Sequence, residues 1–147
     1  MISFDQCRKK GKIVRFVNGP NLVSKEIETA RYDLESAAKS LKEKNYKWSI
    51  IQGYYSLFHS LRALLFSKSF NEHSHICLFA AVEKLYDEEC LLSRSDFDNL
   101  LRAKSLREGA DYNFDSNEDS ANYLIELADY FVVKVEKYLD AKLRSQS

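Results

Sequence analysis

Apolar residues recur at three- and four-residue intervals along most of this chain. The densest run is Lys47 to Lys68, KWSIIQGYYSLFHSLRALLFSK. Ile51, Tyr54, Tyr55, Phe58, Leu61 and Leu65 form one stripe, and Trp48, Leu57, Leu64 and Phe66 widen it on both sides. A helix this apolar is expected at the centre, covered on most of its circumference. A second periodic segment, about Leu22 to Lys44, lines Ile27, Ala30, Leu34, Ala37, Ala38 and Leu41 along one face, with Asn45 expected at its C′ position. The short connection predicts that these two helices are antiparallel neighbours.

Beyond Lys68 the chain turns through Ser69 to His73, and Ser74 is a suitable N-cap for a helix over His75–Tyr86. Ser95 to Asp98 reads as a capping box for the next helix, which Gly109 is expected to fray. Ser116 to Asp119 reads as another capping box, opening a last helix that reaches about Leu143. Strand patterns are nearly absent. The expected fold is all-α, an up-and-down bundle of four to five helices over residues 21–147. Residues 1–20 read as a separate basic arm carrying Arg8, Lys9, Lys10, Lys12 and Arg15. Within it, Ser3 to Lys10 can hold one or two helical turns, Ile13 to Val17 is extended, and Asn18-Gly19-Pro20 is a turn.

Composition narrows this picture. One proline, four glycines, nine tyrosines and nine phenylalanines suit a compact helical protein. The formal net charge is zero, so no global field advertises nucleic acid or a membrane. Cys7, Cys77 and Cys90 have no metal-ligand spacing, and their odd number does not suggest a disulfide framework. No signal peptide or membrane-spanning run is apparent, which makes a reducing cytoplasm the expected location. No metal and no cofactor is expected.

The candidate chemistry begins inside the central stripe. Arg62 falls among apolar positions near Phe58 and Tyr55, and His59 lies at the edge, so Tyr55, His59 and Arg62 form a polar seam. A buried guanidinium needs a carboxylate or several acceptors. Arg62 is therefore either paired with an acid on a neighbouring helix or turned toward a ligand or RNA. His73 and His75 lack further ligands at metal spacing, and His75 in a first helical turn can shape a pocket mouth. Arg107 and Asp111 share a face if their helix persists. No Gly-rich phosphate loop, G-x-S-x-G or H-E-x-x-H is present.

Four features occur in a telling order: YYSLFHSLRALLF (Tyr54 to Phe66), the Ser74-His75 pair, REGADY (Arg107 to Tyr112) and the final amphipathic helix. Together they resemble the HEPN superfamily, the higher-eukaryote and prokaryote nucleotide-binding bundles, and within it the small stand-alone prokaryotic proteins. The resemblance spans about Asn21 to Leu143. It implies a four- to five-helix bundle that often forms a homodimer. It also implies a minimal nucleotidyltransferase as partner in a toxin–antitoxin-like pair.

Catalytic HEPN members are metal-independent ribonucleases. Their motif is an arginine followed four to six residues later by a histidine. Arginine stabilises phosphorane charge while histidine transfers a proton. Arg107 matches the arginine, but Tyr112 stands where the histidine belongs, and tyrosine is a poor base near neutrality. The resulting expectation is a nucleotide- or RNA-binding protein of weak or absent catalysis, with Arg107, Asp111, Tyr112, Tyr55, His59, Arg62 and His75 as the binding set. One alternative is a ribonuclease toxin in which His59 or His75 joins Arg107. Another is a purely structural partner subunit.

Overall fold

The computed structural model describes residues 2–112 and 116–145. Among them are six α-helices and one two-stranded antiparallel sheet. The helices are α1 (Phe4–Lys9), α2 (Val23–Lys42), α3 (Tyr46–Ser67), α4 (His75–Leu85), α5 (Arg94–Asp111) and α6 (Glu118–Ser145). The strands are β1 (Ile13–Arg15) and β2 (Phe70–Glu72), and a 3₁₀ turn, Gly19–Leu22, leads into α2. The bundle is all-α in class, as the periodicity predicts.

The centre is α3, with Tyr54, Leu57, Leu61, Leu64 and Leu65 fully buried. It runs antiparallel to α2, and small polar residues set the register. Ser49 Oγ donates to the Ala37 carbonyl (2.8 Å) and Ser56 Oγ to the Ala30 carbonyl (2.7 Å). Ala30 and Ala37 are themselves inaccessible, so the two backbones approach closely while each buried hydroxyl keeps a partner. Ala38, expected inward, faces out, because the α2 contact is narrower than the stripe suggests. On its other side α3 meets α6 at Gly53, where a Cβ would lie 3.2 Å from Leu124 Cβ. Trp48, expected in the stripe, is 50% exposed at the first turn of α3, beyond the reach of its neighbours.

Several boundaries differ from expectation. Lys44, with φ 62°, takes the left-handed position between α2 and α3, and Asn45 becomes the N-cap of α3 rather than the C′ residue of α2. The capping box of α5 is Ser93 with Asp96, not Ser95 with Asp98: Ser93 Oγ accepts from the Asp96 amide (3.0 Å), and Asp96 Oδ2 accepts from the Ser93 amide (2.9 Å). At the start of α6 the capping oxygen belongs to Asn117, which accepts from the Ser120 amide (2.9 Å). Gly109 does not fray α5. The helix continues to Asp111, since a single glycine costs only about 1 kcal/mol against Ala and the Arg107–Asp111 pair spans it.

The amino-terminal segment lies on the bundle. Ile13 pairs with Glu72 and Arg15 with Phe70 across the β1–β2 ladder. Cys7 is disulfide-bonded to Cys77 in the first turns of α4, and both are buried. Gly19 sits where a Cβ would be 2.6 Å from the Phe66 carbonyl oxygen, so only glycine lets the 3₁₀ turn reach α3. Residues 13–15 are extended as expected, but their pairing with β2 and the disulfide carry no sequence signal, because three-residue strands show too little alternation and three cysteines spell no framework.

Candidate functional site

Tyr55, His59 and Arg62, spaced four and three residues apart, lie along one face of α3. Tyr54, Tyr55 and Phe58 lie within a turn of one another, and α4 and α5 close over them. At the N-terminus of α4, Ser74 Oγ accepts from the Cys77 amide (3.3 Å) and starts the helix at His75. The His75 ring stacks on Tyr54 (centroids 5.6 Å, 9°) and packs on Phe58 (4.4 Å). From α5, Arg107 reaches in over Tyr55 (5.4 Å) and Tyr54 (5.9 Å).

Arg107 is held at one edge only. Its Nη2 donates to the Tyr55 hydroxyl (3.0 Å) and pairs with Asp111 Oδ2 one turn along (3.1 Å). Its Nε is buried, with no hydrogen-bond partner among the described residues. Such an orphaned donor is uncommon in native proteins and calls for an explanation.

Tyr54 and His75 share a 2.6 Å hydrogen bond between the hydroxyl and Nδ1. Burial holds the Tyr54 phenol well above its ordinary range, so its oxygen keeps its proton. His75 is shifted the other way, below the ordinary imidazole range, first by burial and then by the positive charges of Arg107, Lys104 and Arg62, with Glu108 opposing. A neutral imidazole beside a protonated phenol accepts at Nδ1 and carries its own proton at Nε2. The tautomer of His75 thus follows from its neighbours.

A second group adjoins the first across Tyr55 and Phe58. The His59 ring is 6.5 Å from that of Tyr55 and 5.8 Å from that of Phe58. His59 Nδ1 donates to Glu26 Oε2 of α2 (2.6 Å), and its Nε2 lies 3.9 Å from Asp33 Oδ2. Burial raises the Asp33 carboxyl, with His59 opposing. The Arg62 guanidinium covers Phe58 (4.8 Å) and donates from Nε to Glu72 Oε1 (2.8 Å), with a second contact from Nη2. Its Nη1 is 3.9 Å from Glu26. Arg62 therefore has its carboxylate, but the main acid stands on strand β2 rather than on a neighbouring helix.

The structure brings Tyr55, His75, Arg107 and Asp111 together, with His59 and Arg62 alongside. Tyr112 stands apart: it is the C-cap of α5, 73% exposed, and among the described residues its side chain makes none of these contacts. Tyr54, Glu26, Asp33 and Glu72 were not singled out beforehand. Only Tyr54 left a trace in the sequence, as the neighbour of Tyr55 in an otherwise apolar turn. No group of histidines, cysteines and acids that could hold a metal occurs among the described residues. Nor is any described helix long and apolar enough to cross a membrane.

The fold and face define a class: a small helical bundle in which tyrosines of the central helix α3 meet a histidine from α4 and an arginine from α5. Within that class the chain belongs to the HEPN domain family, whose profile matches residues 23–138. Two curated relatives come from Methanocaldococcus jannaschii. The one named Putative toxin MJ0142 is 28% identical over 122 residues, 82% of this chain and 83% of its own length. The one named Putative toxin MJ0605 is 29% identical over 114 residues, 77% of this chain and 85% of its own length.

Proposed function

We propose that this chain is a toxin-type HEPN protein that binds nucleotide or RNA phosphate at Arg107, and that it works with a minimal nucleotidyltransferase partner. The observation that carries the reading is the placement of Arg107: a guanidinium held at Nη2 by Tyr55 and Asp111 over the Tyr54 and Tyr55 rings, with its side chain still 25% exposed. A phosphate oxygen meeting the exposed part of that guanidinium would gain a charge-assisted hydrogen bond. The rings of Tyr54, Tyr55 and Phe58 make a rigid apolar floor beside it. The names of the relatives support a toxin–antitoxin pairing. A homodimer and a cytoplasmic location belong to the same proposal.

In this reading catalysis is weak. Tyr112 occupies the motif's histidine position but is exposed and unassociated with the cluster. The test is titration of a fluorescent single-stranded RNA and of ATP at several salt concentrations. Affinity should fall with salt and drop on Arg107→Ala. Binding indifferent to both would remove the site.

A second reading is favoured by one specific observation. His75 is neutral, presents Nε2–H and shares the Tyr54–Tyr55 platform with Arg107, so it could supply the proton transfer that Tyr112 cannot. Robust RNA cleavage in a chelator, abolished by His75→Ala, would establish that ribonuclease in place of the weak binder.

A further inference from the structure

We propose that Cys7 and Cys77 form a redox latch that fastens the amino-terminal segment to the edge of the candidate site. The latch is independent of what the site binds. Its geometry rests on two segments that run side by side although 70 residues separate the cysteines. From Cys7 the chain passes to β1, which pairs with β2 between Ile13 and Glu72. Two further backbone bonds extend the ladder, Phe16 N–H to the Ser69 carbonyl (2.7 Å) and His73 N–H to the Lys12 carbonyl (2.8 Å). Phe70 is clamped from the same side by Phe4 (5.6 Å, edge-on) and by the guanidinium groups of Arg8 (5.0 Å) and Arg15 (5.1 Å).

Both ends of this arrangement lead to the site. Glu72, on β2, is the buried carboxylate that holds Arg62. Cys77, in the first turns of α4, is two residues from His75. The covalent bond therefore closes a ring of chain around the elements that place Arg62 and His75.

Without it, the segment is held by a three-pair ladder with its two flanking backbone bonds, by Ile13 and the contacts on Phe70, and by one six-residue helix, so its protection should fall when the bond is cut. The contacts of α2 with α3 and of α3 with α6 are made at Ala30, Ala37, Gly53 and Leu124, away from the two cysteines, so opening the latch leaves them in place.

The chemistry is thiol–disulfide exchange. One thiolate of a dithiol reductant attacks a cysteine sulfur and breaks the Cys7–Cys77 bond. Its second thiolate then attacks the reductant sulfur of the mixed disulfide, which breaks that S–S bond and releases the second cysteine as a thiolate. Two electrons and two protons pass to Cys7 and Cys77, and the reductant leaves as its cyclic disulfide. Because both sulfurs are buried, the attack must wait for α1 to lift, and reduction should be slow in native buffer and fast in mild denaturant.

The experiment compares the air-purified chain with the same chain kept in dithiothreitol. Thiol titration in denaturant should find one free thiol, Cys90, in the first and three in the second. Trypsin should then cut among Arg8, Lys9, Lys10, Lys12 and Arg15 at least about tenfold faster in the reduced chain, with α2 and α3 unchanged. Amide exchange at residues 12–16 and 70–73 should accelerate in parallel. Cys7→Ser should reproduce the reduced behaviour without reductant, and Cys90→Ser should change nothing. If Cys7→Ser does not fold, the reduced wild-type chain carries the test by itself. Three free thiols in the air-purified chain, a disulfide that links two chains, or an arm equally protected in both states would overturn the proposal.

Discussion

At the scale of single residues, the site is built from paired groups, and the pairs make opposite predictions. Arg62 and Glu72 form an ion pair in which the carboxylate side chain is 2% exposed. Removing the guanidinium strands that carboxylate, so Arg62→Ala should cost about 3–5 kcal/mol in urea denaturation. A loss below about 1 kcal/mol would show Glu72 finding water instead. His75 acts through its proton. Its folded pKa is lowered from 6.5, so below about pH 6.5 the unfolded chain binds a proton that the native chain refuses. Stability should therefore fall as pH drops from about 6.5 to the folded value, then stop responding to this group. His75→Gln should flatten that part of the curve in thermal melts across pH. The sequence showed Arg62 and His59 as misfits in an apolar stripe because periodicity alone places them. It could not show Glu26, Asp33 or Glu72 as their partners, since those contacts join positions 10 to 36 residues apart.

At the scale of elements, helical period carried most of the information. The bodies of α2, α3, α4 and α6 were legible from it. Their ends were harder, because caps depend on single hydrogen bonds: several serines and asparagines compete, and Ser93 and Asn117 win over Ser95 and Ser116. β1 was legible as an extended segment, but β2 and the pairing were hidden because each strand is three residues long and finds its partner far along the chain. The interface of α3 with α6 yields its own prediction. With Leu124 Cβ 3.2 Å from where a Gly53 Cβ would stand, a large side chain cannot enter without parting the helices. Gly53→Leu should lose about 1–3 kcal/mol or more by chemical denaturation, despite leucine's better helix propensity.

At the scale of the whole molecule, a chain of zero net charge binds phosphate only through local charge, so the salt response counts contacts. Arg107→Ala should reduce the slope of log affinity against log salt by about one, if one phosphate contact is lost. An unchanged slope would move the contact elsewhere on the surface. The proposed homodimer is tested separately by sedimentation over a wide concentration range, with and without the proposed nucleotidyltransferase partner. A strict monomer throughout would reject it.

The strand pairing of residues 13–15 with 70–72 also has a consequence for the order of synthesis. During translation the β1 segment emerges early but has no partner strand until β2 follows, and Cys7 cannot meet Cys77 until later still. α2 and α3, joined by a short turn, can pair meanwhile through contacts close in sequence. The portion made first is thus among the last to be secured. On a ribosome stalled after α3, residues 4–16 should remain open to protease while the α2–α3 hairpin is already closed.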